Sequence, residues 1–357
     1  MKMRNVAVAT ICLLLGAPAV ADGTVVCWGS NDYGQCTVPV GLGTVKAIAA
    51  GYSHTVAIKT DGTVRCWGWD FYGQSNTPVG LGVVTQVAAG SAHTVARKSD
   101  GSFAAWGRNL EGQCTAPVGL GAVNWVGAGW RHTVVVKTSG ACAAWGSNVN
   151  GQSTVPANLG TVTQVVGGYG HSVALKSNGQ VQCWGLNDKG QSTVPSNLTG
   201  VQAVAAGGYH TLARKADGTV VCWGSNDNGQ CTLPTGLGSV VTMAGGWAHS
   251  AANKQNSLGD STPRCWGDNT YGQCNLPLDT GNYLMMAAGE RHTVALIEVA
   301  QNCPADLDHT GTVDGQDLGI LLGSWNSLGG DADLNGDFVV DGQDLGLLLG
   351  SWGACTP

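Results

Sequence analysis

The side chains best placed to do chemistry lie at the C-terminal end of the chain. Residues 306–317 put oxygen donors at positions 1, 3, 5, 9 and 12 of a twelve-residue segment: Asp306, Asp308, Thr310, Asp314 and Asp317, with the main-chain carbonyl of Thr312 at position 7. The same order returns 27 residues later as Asp333, Asn335, Asp337, Asp341 and Asp344, with Val339 at position 7. Hard Ca2+ takes six to eight oxygen ligands in loops of this spacing. Carboxylates this close would oppose one another's ionisation without a cation. The expectation is two Ca2+ sites. Two residues depart from the ideal loop. Thr310 is a neutral donor, which weakens the first site, and Phe338 stands where glycine normally allows the sharp turn, which strains the second.

Such loops need elements behind them. Leu318, Leu321, Leu322 and Trp325 follow the first loop, and Leu345, Leu348, Leu349 and Trp352 the second. Both sets run i, i+3, i+4, i+7 and predict a short helix with one apolar stripe. Regular donor spacing followed by helices separates this segment from a plain solvated charge run. Glycines at 319, 323 and 346 weaken the helices, by about 1 kcal/mol each. A module this small needs staples. Calcium is one, and a Cys303–Cys355 disulfide across its ends would be a second, stabilising by roughly 4 kcal/mol in the loop-entropy account.

The paired segments GQDLGILLGSW and GQDLGLLLGSW give residues 303–357 a resemblance to a type I dockerin. Aspartate rather than glutamate at position 12 agrees with that form. The resemblance implies a calcium-dependent module that docks onto a cohesin-like receptor.

The rest of the chain has a different character. Of 357 residues, 56 are Gly and only 11% are charged, which argues against a helix-rich enzyme, while 13 Trp argue against disorder. The net charge of −6 is concentrated in residues 303–357, which carry nine Asp and no Lys or Arg; residues 22–302 hold 15 basic and 14 acidic side chains. A body so near neutrality has no cationic footprint for nucleic acid. Lys2 and Arg4 precede the apolar run VAVATICLLLGAPAV, which closes on Ala19-Val20-Ala21. That is the pattern of a secretory signal peptide over 1–21. No later run is long enough for a transmembrane segment. Secretion in turn makes disulfides the expected state of many cysteines.

Self-similarity organises residues 22–300. Trp-Gly recurs at Trp28, Trp67, Trp106, Trp145, Trp184, Trp223 and Trp266, at intervals of 39 and finally 43 residues. Each Trp is followed 26 residues later by a His, namely His54, His93, His132, His171, His210, His249 and His292, with Gly-Gln between them. Each copy reads as four short strands; in the first they are GTVVCWG, CTVPV, VKAIAAG and HTVAIK. The chain begins and ends mid-unit, so pairing GTVVCWG with HTVALIEV would close a ring and hide its edges. The fold expected is mainly β, a seven-bladed β-propeller followed by a small α-helical, calcium-binding dockerin-like domain.

The three motifs in phase, a strand ending in Trp-Gly, a loop ending in Gly-Gln and Ala-Ala-Gly before His-Thr-Val-Ala, make this region similar to the regulator of chromosome condensation repeat family. Its compact repeat is nearer the bacterial branch that includes a seven-bladed β-lactamase-inhibitory protein. The resemblance implies a propeller that binds partners with its loops.

The invariant residues read as scaffold. Seven equivalent His on a ring are too far apart to share one metal ion, and each is expected to be hydrogen-bonded within its own blade. The Trp is core and the Gln a loop clamp. Recognition is sought where copies differ. Tyr52, Trp130, Arg131, Tyr169, Tyr209, Trp247 and Arg291 lie between the Gly and the His, and Trp69 and Phe71 follow the second Trp-Gly. These are residue types that dominate binding hot spots. Cysteines before Trp and after Gly-Gln coincide in three copies, no more than independent placement would give, so the coincidence is no evidence for pairing; Cys27–Cys36, Cys222–Cys231 and Cys265–Cys274 are kept as candidate disulfides, and Cys66, Cys114, Cys142 and Cys183 have no assigned mates.

The function expected is a secreted, non-catalytic interaction protein. Propeller loops would bind a protein or glycan, and a calcium-dependent module would dock the chain to a scaffold or cell surface. The alternative is a polysaccharide-degrading hydrolase, but no carboxylate pair or nucleophile motif stands out from the repeats, and Asp70, Glu111 and Asp268 read as solvated loop charges.

Overall fold

The computed structural model of the chain describes residues 23–255, 261–277, 282–298, 304–307 and 312–354. The expected signal peptide over 1–21, the Cys303–Cys355 pair and the loop donors Asp308 and Thr310 lie outside the described residues. The chain divides into two units, residues 1–298 and 299–357. Among the described residues no helix is long and apolar enough to cross a membrane.

The first repeat sets the pattern of the larger unit. β1 (Gly23–Gly29) leads through the first Gly-Gln loop to β2 (Val45–Ala50), β3 (His54–Lys59) and β4 (Val64–Gly68), and the last three form an antiparallel sheet in the order β2-β3-β4. The β3–β4 hairpin turns at Asp61-Gly62, where Gly62 takes φ +82° and the Asp61 carboxylate accepts the Thr63 N–H at 2.8 Å. Equivalent three-stranded sheets follow along the chain. The expected fourth strand, Cys36–Val40, is instead turn and coil. Pro39 has no N–H for a ladder, and its carbonyl accepts the Leu42 N–H at 3.2 Å. Leu42 is thereby buried while Val40 is left fully exposed.

The ring closes as the unpaired ends of the repeat region require. β1 pairs over its whole length with the strand His292–Glu298, from Gly23↔Glu298 to Gly29↔His292, and so supplies the outer strand of the seventh blade. Apolar side chains from adjoining sheets fill the spaces between blades: Ile58, Val84 and Val87 pack with Trp106, and Leu212 and Val240 with Trp266.

Inside these interfaces runs a polar belt. His54 Nε2 lies 3.0 Å from Thr94 Oγ1, His93 from Thr133, and so on around to His292, which meets Thr55 at 3.3 Å. Each imidazole therefore bonds the next blade, not its own as the repeat pattern suggested. The cause is the residue after each ring His: it is Thr or Ser in every copy, and that hydroxyl faces back toward the preceding copy. Thr55 gives its single proton to the Gln35 carbonyl at 2.8 Å, so it must accept from His292. The imidazoles are neutral and protonated on Nε2. The same Gln35 carbonyl accepts Trp67 Nε1–H at 2.9 Å. The Gln35 side chain accepts the Tyr33 N–H and donates to Ser30, acting as the expected loop clamp.

Disulfides join Cys27 to Cys36, Cys222 to Cys231 and Cys265 to Cys274, with Cα–Cα separations of 5.0, 5.1 and 5.0 Å. Cys66 occupies the place of Cys27 in the next copy, but Ser75 stands where its partner would be, and the Ser75 hydroxyl donates instead to the Trp69 carbonyl at 3.1 Å. Ser75→Cys is expected to create a fourth bridge and stabilise the propeller by about 2–3 kcal/mol, the entropy of closing a loop of about ten residues. Burial pushes the Cys66 thiol up to about 12, so the bridge should form during oxidative refolding rather than in the folded protein. Loss of one free thiol with a raised urea midpoint would check it.

The smaller unit contains α1 (Gly315–Gly323) and α2 (Gly342–Gly350), each opened by a reciprocal capping box, Asp314 with Asp317 and Asp341 with Asp344. Thr312–Val313 pairs with Gly353–Ala354 and ties its ends together. The predicted apolar stripe is only partly buried. Leu321 and Leu348 are sealed in a core with Val313 and Val340, Leu318 and Leu345 pack against it, but Leu322, Trp325, Leu349 and Trp352 stay exposed. Two nine-residue helices enclose too little volume to bury both flanks. Phe338 adopts φ +73° and is 74% exposed, confirming strain at that turn. Phe338→Gly is expected to stabilise this unit by about 1 kcal/mol, read from its own thermal transition.

Candidate binding site at the channel mouth

The innermost strands of all seven blades surround a central channel with about 210 Å³ of space, walled largely by Ala and Gly and by Trp125, Met243 and Gln164. Small residues are needed because seven strands converge there. Each blade's Gly before the variable loop abuts the next: a Cβ on Gly51 would stand 2.5 Å from the Gly90 carbonyl oxygen, and one on Gly289 would stand 2.5 Å from that of Gly51.

The residue after this glycine lies at one mouth of the channel, and the seven are Tyr52, Ser91, Trp130, Tyr169, Gly208, Trp247 and Glu290. Their backbones form a second closed belt. Tyr52 N–H donates to the Gly90 carbonyl, Trp130 N–H to Gly168, Trp247 N–H to Gly289 and Glu290 N–H to Tyr52, at 3.0–3.4 Å. Gly208 has no side chain because the Trp247 indole lies across it, 3.2 Å from where a Cβ would be.

The scattered aromatics of the sequence come together here. Trp130 reaches over the mouth, its ring centroid 5.0 Å from those of both Tyr52 and Trp247 and 5.4 Å from that of Tyr169. Tyr209 stacks on Tyr169 at 5.0 Å and meets Trp247 edge-on at 5.4 Å. From Tyr52 the cluster runs outward to Trp69 at 6.4 Å, and Trp69 stacks with Phe71 at 6.3 Å and 15°. Tyr33 and Tyr72, not singled out from the sequence, extend it, each 5.8 Å from Trp69. They share one position before Gly-Gln, a second register of copy-to-copy variation that would have revealed them. Phe71 is 77% and Tyr33 54% exposed, whereas the rings at the mouth are half-buried.

Charged groups flank this aromatic surface. Glu111 is not a free loop charge as expected: it pairs with Arg108 and, at 3.4 Å, with Arg131, and those two guanidinium groups hold its carboxyl below the usual range against the opposing effect of burial. Asp268 likewise accepts from Thr270 and Gln273, and Asp70 from the Ser75 N–H. On the other flank, burial raises the Glu290 carboxyl. The same burial, with the hydrogen bond to Glu290, pushes the Tyr52 hydroxyl up to about 12. Arg291 Nε is 3.5 Å from Glu290, and its guanidinium lies over Tyr271 at 4.4 Å.

In the second unit, the loop of residues 333–344 uses its predicted donors to hold its own backbone. Asp333 accepts from Gly336 and Phe338 N–H, Asn335 from Asp337, Asp337 from Val339, and Asp341 from Gln343, at 2.7–3.0 Å. Asp344, fully buried, accepts from Asp341, Leu334 and Asn335, and these N–H groups hold its carboxyl low. Of the first loop, Asp306 and Asp317 are buried, and Asp317 accepts the Asp314 N–H. Among the described residues no three acidic, His or Cys side chains converge as a preformed metal cage.

Fold and mouth together define a class: a β-propeller of repeated three-stranded sheets whose variable residues gather on one loop face. Residues 45–74, 84–113, 126–152, 162–191 and 201–230, within five of the blades, match the regulator of chromosome condensation (RCC1) repeat. No curated protein matches the sequence. Among solved structures, the chain is similar to Prp20p from Saccharomyces cerevisiae, at 18% identity and TM-score 0.67, covering 79% of this chain and 93% of that one. Human WBSCR16 aligns at 18% identity and TM-score 0.63 over 78% and 99% of the two chains. The ectodomain of the Physcomitrella patens receptor kinase CR4 aligns at 20% and 0.58 over 71% and 70%. At such identities the likeness concerns the fold.

Proposed function

We propose that this chain is a secreted, non-catalytic interaction protein that binds a protein partner through the aromatic loop face and is tethered by a calcium-dependent, dockerin-like C-terminal unit. The observation that carries the reading is the contiguous aromatic surface from Trp247 to Phe71. Aromatic rings beside Arg131 and Arg291, over a rigid scaffold, match the composition of binding hot spots. Prp20p, similar in fold, is described with its binding to Gsp1p and histones, and with Kap60 bound. A glycan ligand is the second reading, favoured by the near-parallel Trp69 and Phe71 rings, whose flat faces suit a sugar ring.

For the C-terminal unit, the donor set fits a hard cation by type, since all its side chains are oxygen donors. Asp333, Asn335, Asp337, Asp341, Asp344 and the Val339 carbonyl would hold Ca2+ in the second loop, and the ion would supply the positive charge that a carboxylate cluster lacks. The exposed Leu322, Trp325, Leu349 and Trp352 are then the surface offered to a cohesin-like receptor. Two measurements test the reading. In calorimetry, EDTA should abolish the transition of the C-terminal unit and leave that of the propeller; an unchanged C-terminal transition removes the calcium element. Capture of partners from culture medium by the full chain should fall at least about tenfold with Trp69→Ala/Phe71→Ala, the loss typical of two hot-spot rings, and equal capture by both proteins would count against the loop face.

A further inference from the structure

The channel mouth has a chemistry of its own. We propose that it is a binding site for a small quaternary-ammonium cation, received by the faces of Tyr52, Trp130 and Trp247 and the carboxylate of Glu290. The argument begins with what the mouth cannot offer. Its backbone N–H groups are committed to carbonyls of the neighbouring blade around the whole belt. The Ser91 hydroxyl is committed to the Trp130 carbonyl. Deeper in the channel, the Gln164 side-chain amide is spent on the main chain of Val204. The uncharged indole N–H groups of Trp130 and Trp247 remain, but among the described lining residues no cationic side chain meets an anion.

What remains are π faces and one charge. Glu290 is the only charged residue among those described as lining the channel, and its side chain is 9% exposed. Arg291, whose Nε is 3.5 Å from the Glu290 carboxylate, is not itself part of the lining, and its guanidinium rests on Tyr271. An aromatic enclosure with a single carboxylate attracts a cation through the ring quadrupoles. A quaternary nitrogen suits it better than a primary ammonium, because the Glu290 carboxylate alone cannot satisfy all three ammonium N–H groups, whereas a quaternary nitrogen has none to satisfy. The apolar walls beneath then receive its methyl groups.

The inference shares Tyr52, Trp130 and Trp247 with the partner face but needs no macromolecule, so each can fail alone: partner capture can persist on the Phe71 side without cation binding, and the reverse. The test titrates the full chain with choline and with its neutral isostere 3,3-dimethylbutan-1-ol, following indole N–H resonances. Choline should shift the Trp130 and Trp247 signals saturably in the millimolar range. The neutral alcohol should bind at least about tenfold more weakly, and Glu290→Gln, which keeps an acceptor for Tyr52, should weaken choline by a similar factor. Equal binding of the alcohol, indifference of choline to Glu290→Gln, or absence of any indole shift would each overturn the proposal.

Discussion

Lowering the pH from 7 to 5 is expected to destabilise the propeller by on the order of 10 kcal/mol. The cause is the histidine belt. All seven imidazoles are fully buried, and burial first of all lowers them from 6.5 to about 3 for His54, His132, His210 and His292 and to about 4 for His93, His171 and His249. Neighbouring charges matter less: Arg108 and Glu111 act on His93 in opposite senses, and Asp268 acts on His249. In the unfolded chain the same residues take up protons as pH falls through about 6.5. Their contribution is therefore complete above that value and is lost progressively below it, until the folded protein itself protonates near pH 4 to 3. Each ring then costs about 2 kcal/mol between pH 7 and 5, and seven together rival the whole stability of an ordinary domain, about 5–15 kcal/mol. Urea midpoints measured across this interval should fall steeply, and a flat profile would show that the imidazoles are not held neutral.

Gly129→Ala is expected to cost several kcal/mol or to prevent folding. A Cβ there would stand 2.1 Å from His132 Cε1 and 2.6 Å from the Gly168 carbonyl oxygen. The first contact disturbs the histidine belt and the second the join between two blades, and neither neighbour is a flexible side-chain end. Overpacking at a site without slack typically costs about 1–3 kcal/mol, and here two fixed contacts are broken at once. Gly319→Ala supplies the contrast. Nothing lies within 4 Å of its Cβ position, so in α1 the change should stabilise by up to about 1 kcal/mol. Thermal unfolding of both variants would show opposite signs, and a Gly129→Ala protein as stable as its parent would mean that the blades have room to part.

Much of this architecture is legible without coordinates because each repeat repeats its physics. The phase of Trp-Gly, Gly-Gln and His implies blades and the unpaired GTVVCWG and HTVALIEV imply closure, whereas the coincidence of cysteines in three copies is no more than chance gives, and only the 5.0–5.1 Å Cα separations establish the three bridges. The β-branched residues of CTVPV read as a strand, but the segment is turn and coil because Pro39 has no N–H to give a ladder. The C-terminal stripe was half right for a related reason: helical spacing says which residues share a face, not whether a second element exists to cover it.

Chain order alone settled what recurs locally, the strand positions of each repeat and the two short C-terminal helices, set by interactions within about a dozen residues. Tertiary structure decided what depends on rotation about the ring axis. That His54 meets Thr94 rather than a group of its own blade, and that Trp130 lies against Tyr52 and Trp247 from distant copies, follows only when seven blades close on one another. The radius and tilt of that closure are properties of the assembled packing, and no single repeat contains them.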